Sequence, residues 1–540
     1  MKKLLLSLFA AATCAFSSAQ LKETVLIESN ITSSATWTAE KIWLLKGIIR
    51  IQDGVTLTIE PGTVVKGGPA ADGSNATCIV VEPGGKINAV GTKENPIVFT
   101  SSQPKGLRNY GDWGGIVMFG KAPVNKTNPA YEGGVIPGTY GGENPADTSG
   151  TLKYCRIEFA GYPFEQDREL NTLTMCGVGN GTSIEYIQAS YNMDDAFEWF
   201  GGTVNCKHLI AYKTNDDDWD VDQGFSGKVQ FGVSIADPNV ADVSTKNGFE
   251  IDNDGSGSND NPKTAAVFSN MTTIGAYNTR TAGRSSLHGR GGHIRRNSEV
   301  SIFNSIIMGW KEGIRMDGAN TFSNYDDGAA FLQNNILAGN VIRLNVASGV
   351  DSGAFASYVY NAANSNRILD ENSQVMLQDP FNYAQPDWRP KAGSPALNGA
   401  AFANGKLSDP FFTSTSYVGA FAENDNWHQG WTEWDPVNAE YDYLPGTAVT
   451  KPGNVLNMVA YPNPTSGAMS LEFDLAAPEA VTVEVLDLTG KVIKRVLEHE
   501  SMAPGAQRLD ISLSEAENGI YFILIRTETG VKSVKTIVNK

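Results

Sequence analysis

Apolar residues in this chain recur at every second place within short runs, and each run is closed by Gly, Asn or Asp. Near the start, Gly47-Ile-Ile-Arg-Ile-Gln-Asp-Gly54 leads to Val55-Thr-Leu-Thr-Ile-Glu60 and then to Thr63-Val-Val-Lys-Gly67. Cys78-Ile-Val-Val-Glu82, Lys86-Ile-Asn-Ala-Val90 and Pro96-Ile-Val-Phe-Thr100 follow. Alternation of this kind sets one side chain inward and the next outward, so these runs predict strands. Gly makes up 56 of 540 residues, above the average of about 7%. Helical periodicity is scarce, and only Arg367 to Leu377 predicts a short helix. Short strands with close turns suit a β-sandwich or a coil of parallel strands. A sandwich spread over four hundred residues would split into domains joined by visible linkers. None stands before about residue 436, so the pattern favours one continuous solenoid.

Internal similarity supports the coil. Phe197-Glu-Trp-Phe-Gly-Gly202, Trp219-Asp-Val-Asp-Gln-Gly224, Phe249-Glu-Ile-Asp-Asn-Asp254 and Ile314-Arg-Met-Asp-Gly318 align without gaps. Their first and third places are apolar and would form one buried column. The second places put Glu198, Asp220, Glu250 and Arg315 in one outward file, and the fourth put Phe200, Asp222, Asp252 and Asp317 in the next. Leu152–Phe159, Ser183–Ala189, Val204–Ala211 and Val300–Ile307 fit the same coil. Repeats of about 20–45 residues allow on the order of a dozen turns.

The N-terminus predicts export. Lys2 and Lys3 precede an apolar run from Leu4 to Phe16, and Ser17-Ser-Ala19 offers a cleavage site after Ala19. This is the order of a secretory signal peptide, and the run is too short for a spanning helix. Cys14 raises a lipoprotein reading, which Thr13 before it disfavours. Loss of residues 1–19 removes two positive charges and no negative ones, taking a formal −17 to −19. A chain this acidic repels nucleic acid and anionic lipid, and no other segment predicts a transmembrane anchor. It still accommodates an acidic glycan if a divalent cation bridges the two. Cys78, Cys155, Cys176 and Cys206 remain; their spacing matches no zinc pattern, and either a bridge or buried free thiols fits.

Two resemblances sharpen the reading. Asp387-Trp-Arg-Pro-Lys-Ala-Gly-Ser-Pro-Ala-Leu-Asn398 and Ser416-Tyr-Val-Gly-Ala-Phe421 look like the ending of many right-handed parallel β-helices. With the strand pattern, the body over roughly residues 40 to 422 resembles the pectin-lyase-like β-helix superfamily. At the other end of the chain, Tyr461-Pro-Asn-Pro-Thr-Ser-Gly467, Val483-Glu-Val-Leu-Asp-Leu-Thr-Gly-Lys491, Gly519-Ile-Tyr-Phe-Ile-Leu-Ile-Arg526 and Val531–Lys540 occur in order. They resemble the type A C-terminal sorting domain of the type IX secretion system of Bacteroidota. The matching residues are Pro462, Asn463, Pro464, Gly467, Gly490, Lys491, Gly519, Tyr521, Lys535 and Lys540. The resemblance implies that type IX machinery carries the protein across the outer membrane. The domain is then removed as the cargo is attached to surface lipopolysaccharide or released.

The expected organisation is a signal peptide over 1–19, a parallel β-helix over 20–422, and a Trp-rich cap over 423–445. A linker over 446–455 and an Ig-like β-sandwich sorting domain over 456–540 complete it, giving an all-β protein. Trp427, Trp431 and Trp434 are expected to close the coil's open end, or alternatively to offer sugars a stacking platform.

Chemistry is expected on the acidic stretch from Asp194 to Asp254. Like charges one strand spacing of about 4.8 Å apart repel unless a cation or an Arg lies between them. Calcium takes about six to eight oxygen ligands, and Asp220, Asp222, Glu250 and Asp252 are the expected set. The opposing reading is a salt-bridged patch neutralised by Arg280, Arg284, Arg290, Arg295 and Arg296, beside His288 and His293. Asp252-Asn-Asp-Gly-Ser-Gly257 is only partly like an EF-hand loop, with Lys263 where Glu belongs. Calcium-dependent polysaccharide lyases on this fold use an Arg or Lys base, and that resemblance implies Arg315. Polygalacturonase-like hydrolases are a looser match, through Asp194-Asp195, Gly289-Arg-Gly-Gly-His293 and Gly313-Ile-Arg-Met316. The expectation is thus an exported β-helix that engages polysaccharide with calcium. A lyase or hydrolase, and a non-catalytic surface or adhesin scaffold, are the alternatives.

Overall fold

The computed structural model describes residues 21–70, 72–131, 136–165, 168–443, 455–487, 491–527 and 531–540. Ala19, Gly490 and nearly all of the expected linker lie outside them. The chain forms two units, a body over Lys22–Asp442 and a unit containing Tyr443–Lys540.

Parallel pairing builds the body into a right-handed β-helix. One face is a ten-stranded parallel sheet running from Ile48–Ile51 to Ile342–Ala347, each strand hydrogen-bonded to the next turn's. Its inward column reads Ile49, Ile79, Ile116, Leu173, Phe197, Trp219, Phe249, Gly292, Ile314 and Leu344 in register. Burial of this column fills the coil and supplies the apolar transfer energy that holds successive turns together.

The other sheet carries two ladders, which the middle turns join through one bent residue. Tyr154, Tyr186, His208, Phe231, Asn270, Asn304 and Asn334 all have positive φ there. That conformation is costly for side chains other than Asn. The aromatic members offset it by stacking, with ring centroids 4.4, 4.2 and 5.1 Å apart from Tyr154 to Phe231. Burial holds the His208 imidazole at about 3, so it stays neutral in the stack.

The Trp-rich segment does not close the end of the coil. It belongs to a strap over residues 400–442 that runs back along the outside of the second sheet. Asn304 exchanges hydrogen bonds with Ala401, Asn270 donates to Tyr417 O at 3.0 Å, and Gln188 exchanges them with Glu433. Further back, Tyr441 donates its hydroxyl to Glu158 at 2.8 Å, and Lys66 pairs with Asp442. Trp427 and Trp431 meet Tyr186 edge-on and are buried, so neither offers a face to a sugar. The last strand is covered instead by helix α2 (Ser352–Val359), whose Phe355 and Val359 join Leu344 and Val346 in the core. Helix α1 (Ala319–Asp326) and α2 were not expected, whereas Arg367–Leu377 contains a strand and a single 3₁₀ turn. Cys78, Cys155, Cys176 and Cys206 are buried and none is part of a disulfide.

The C-terminal unit is a sandwich of a three-stranded and a four-stranded antiparallel sheet around Leu471, Phe473, Val483, Val485 and Ile523. Its described strands run from Val455–Tyr461 to Val531–Val538, which is the expected sandwich. Asn463 shows how its motifs cooperate, since its amide donates to Lys535 O at 2.8 Å and accepts from Ile537 N at 2.9 Å. Tyr521 anchors its hydroxyl on Glu517 O, and Lys540 reaches Ser514 O. Gly467 has a φ of +132°, where a Cβ would press on Ser514 at 3.2 Å.

Truncation of a buried Trp costs about 3–5 kcal/mol. Trp431→Ala is therefore expected to lower the body's stability to denaturant by about that amount, and Trp434→Ala, which is half-buried, by clearly less. Equal small losses would show that the strap is not part of the folded unit.

Candidate functional site

The outward file of the ten-stranded sheet passes from Arg50 through Val80 and Val117 and then turns polar and charged. In register it reads Thr174, Glu198, Asp220, Glu250, His293, Arg315 and Asn345. Glu198, Asp220 and Glu250 are neighbours as expected, but His293 stands between Glu250 and Arg315. Its strand, Arg290–Ile294, was not recognised because Gly291-Gly292 interrupts the alternation. Gly291 has no room for a side chain: a Cβ would lie 2.2 Å from Ile307 Cγ2 and 2.9 Å from Trp310 Cδ1.

A second file, three residues earlier in each turn, was also not singled out. Asn171 Oδ1 accepts from Asp195 N at 3.1 Å, and Asp195 Oδ1 accepts from Asp217 N at 2.8 Å. Asp217 accepts from Asn247 N, and Asn247 Oδ1 from Arg290 N at 3.2 Å. Each side chain thus satisfies the amide of the next turn, which fixes Asp and Asn at these places. Adjacent acidic pairs in the sequence, Asp194-Asp195 and Asp216-Asp-Asp218, were the available signal.

The two files together place Asp195, Glu198, Asp217 and Asp220 on consecutive turns. Asp195, Glu198 and Asp220 each offer an oxygen within 4.8 Å of the others, and so do Asp217, Asp220 and Glu250. At that range two full charges repel by about 3 kcal/mol for an effective dielectric near 20. Burial, then the neighbouring carboxylates, push Asp195, Asp217 and Asp220 well above the ordinary carboxylate range. A proton or a bound cation resolves that conflict.

The four expected ligands do not act as one set. Asp220 and Glu250 share a cluster, but Asp222 and Asp252 belong to the next file and to no such trio. Asp252 is held by Arg295 Nε at 2.8 Å and by Arg296 at 2.6 Å, and Arg295 also pairs with Glu250. Burial raises Glu250, but contact with His293 and the Arg295 charge outweigh it and hold the carboxyl at about 2. This half of the site is the salt-bridged patch. Arg290 pairs with Glu312, whereas Arg280, Arg284 and His288 bond backbone carbonyls elsewhere. Asp254, in the EF-hand-like stretch, accepts from Ser256 and Ser258 as a turn residue.

Arg315 lies between Glu312 and Asp317, at 3.8 and 4.0 Å. It is three turns beyond Asp220, or about 14 Å at the spacing of parallel strands. Asp195 and His293, two parts of the hydrolase-like pattern, are also three turns apart. Beside the basic half opens a cavity of about 480 Å³, lined by Arg295, Arg296, Asn297, Asp317, Asn320 and Ser348 among others.

The family model of a pectate-lyase-like β-helix domain matches residues 29–376. The chain belongs to that family. The model of a secretion system C-terminal sorting domain matches residues 459–539 of this pectate-lyase-like β-helix protein. The tail is thus a type IX sorting domain, and the protein is secreted or displayed at the cell surface. No helix among the described residues is long and apolar enough to cross a membrane. No curated protein matches the chain, so the family supplies fold and delivery but no substrate.

The acidic files also set a pH dependence. Burial and nearby acids raise Asp216 to about 7 and Asp222 to about 6, so both bind protons more tightly folded than unfolded. With a chelator present, stability should fall as pH rises from about 4 to about 7. Glu250 acts oppositely, its contribution disappearing as pH drops from about 4 through 2. Thermal melts across pH 4–8 that rise or stay flat would contradict this account.

Proposed function

We propose that this protein is a surface-delivered β-helix that holds a divalent cation, calcium, on its acidic files and uses it to engage an acidic polysaccharide. The supporting observation is the pair of consecutive turns carrying Asp195, Glu198, Asp217 and Asp220. Among the described residues no Arg or Lys forms an ion pair with Asp195, Asp217 or Asp220, and the Arg295 charge acts on Asp220 only through space. Calcium favours such oxygen-rich sets and keeps coordination places for ligands from outside. A uronate carboxylate would complete its shell, and the adjoining Arg295–Arg296 cavity would receive the next anionic unit. Delivery agrees with this: a secretory signal peptide ending near Ala19 would supply the first export step, and the sorting domain the second.

Elimination by a lyase needs a base beside the proton it removes. Arg315 is separated from Asp220 by Glu250 and His293, and both its nearest charged neighbours are carboxylates. The distance favours binding over elimination.

Calcium that binds only the folded form raises its melting temperature by mass action. A clear rise is expected at matched ionic strength, lost in Asp195→Asn/Asp220→Asn, together with calcium-dependent retention on immobilised polygalacturonate or alginate. Retention unaffected by chelator, or no calcium shift, would overturn the proposal; release of unsaturated uronate ends would turn it into a lyase. Separately, deletion of residues 456–540 is expected to leave the body in the periplasm. Truncated protein at the cell surface would contradict the role of the tail.

A further inference from the structure

Lys246 and Asp218 form an ion pair with no access to solvent. Both side chains are fully buried, and Lys246 Nζ lies 2.8 Å from Asp218 Oδ1. The proposed cation site uses neither of them. Two opposite charges taken out of water lose hydration that their mutual attraction repays only in part. An amide between the same two groups carries no charge and avoids that loss. The contacts around the pair are those such a bond needs in order to form. Thr214 Oγ1 accepts from Lys246 Nζ at 3.0 Å and donates to Asp218 Oδ1 at 3.0 Å. One hydroxyl thus bridges amine and carboxyl and offers a proton a path between them. Lys246 Nζ also donates to Asp216 O at 2.6 Å. With two N–H groups held by Thr214 and Asp216, a neutral amine turns its lone pair toward the Asp218 carboxyl. The main chain fixes both partners. Lys246 N donates to Leu287 O at 2.9 Å, Gly289 N to Lys246 O at 2.9 Å, and Asp218 N to Asn247 O at 3.2 Å. Reacting groups held in contact in this way have already met the entropy cost of encounter.

We propose that Lys246 and Asp218 condense into an isopeptide bond that joins two consecutive turns of the coil. One ammonium proton passes through the Thr214 hydroxyl to the carboxylate, leaving a neutral amine beside a neutral acid. The amine nitrogen bonds to the Asp218 carboxyl carbon, a second amine proton goes to the departing hydroxyl, and one water leaves. Nothing is oxidised or reduced, and no co-reactant enters. Asp218 and Lys246 lie just ahead of the strands Trp219–Asp222 and Phe249–Ile251, which pair in register. The bond therefore ties together the turns that carry Asp220 and Glu250, where like charges push the coil apart. A covalent link of this kind limits the unfolded chain as a disulfide does, and Cys78, Cys155, Cys176 and Cys206 form no disulfide here. The inference goes beyond the calcium reading and does not depend on it.

The test is mass spectrometry of the purified full-length protein, denatured and digested with trypsin. Trypsin cuts after Lys213, Lys228 and Lys263 but not after an acylated lysine. The expected product is Thr214–Lys228 joined to Val229–Lys263, lighter by one water than the two peptides together, with fragment ions that place the branch on Asp218 and Lys246. Lys246→Met and Asp218→Ala are expected to give unlinked peptides only, and Thr214→Val a smaller linked fraction than the wild type. Separate peptides from the wild type, with cleavage after Lys246 even after prolonged incubation of the folded protein, would overturn the proposal and leave a buried ion pair. Loss of water confined to a single unbranched peptide, as from a succinimide, would overturn it too. The wild-type digest decides the matter even where a variant fails to fold.

Discussion

Parallel register governs this molecule. Each residue of a turn lies over its counterpart in the next at about 4.8 Å, so whatever the sequence places at one position it must place compatibly at the same position above and below. For the inward column the rule is benign, because Phe197, Trp219 and Phe249 stack into a continuous core. For outward charges it is severe. Two acidic turns in succession bring carboxylates together in a largely buried setting that self-energy alone would disfavour.

The chain meets this constraint differently along the same file. From Glu250 to Asp317 the signs alternate, and Arg290, Arg295, Arg296 and Arg315 lie among the acids. Over Asp195 to Asp220 they do not. The acids there also accept backbone amides of the following turn, so geometry retains Asp at places where charge would expel it. An electrostatic fault held in place by backbone hydrogen bonding is a natural seat for a ligand. The sequence repeat that builds the coil therefore also concentrates the chemistry on one edge of it.

Much of this was legible beforehand because a two-residue period and a turn-length repeat survive any detail of the loops. The files containing Glu198, Asp220 and Glu250 followed from aligning Phe197, Trp219 and Phe249. His293 escaped because Gly291 and Gly292 carry no apolar signal, though packing against Ile307 and Trp310 demands glycine at the first of them. Asp195 and Asp217 escaped as partners because a hydrogen bond from side chain to the next turn leaves no periodic mark. Asp222 and Asp252 were placed in the right file, but Arg295 reaches back across a turn from a loop whose course pattern alone does not give. The tryptophans were read as an end cover because their apolarity shows that they are buried, not against what. Helices α1 and α2 are eight residues each, too short for a period to declare itself.

The strap gives the coil a property that stacked repeats lack. A solenoid whose turns touch only their neighbours frays from its ends, one repeat at a time. Here Asn304, Asn270, Gln188, Glu158 and Lys66 all fasten to one returning segment. Peeling any turn away then means releasing contacts that other turns also use. Partial openings become rarer, and openings are what a protease outside the cell needs. For a protein that spends its life beyond the outer membrane, the splint amounts to armour made from its own C-terminal thread.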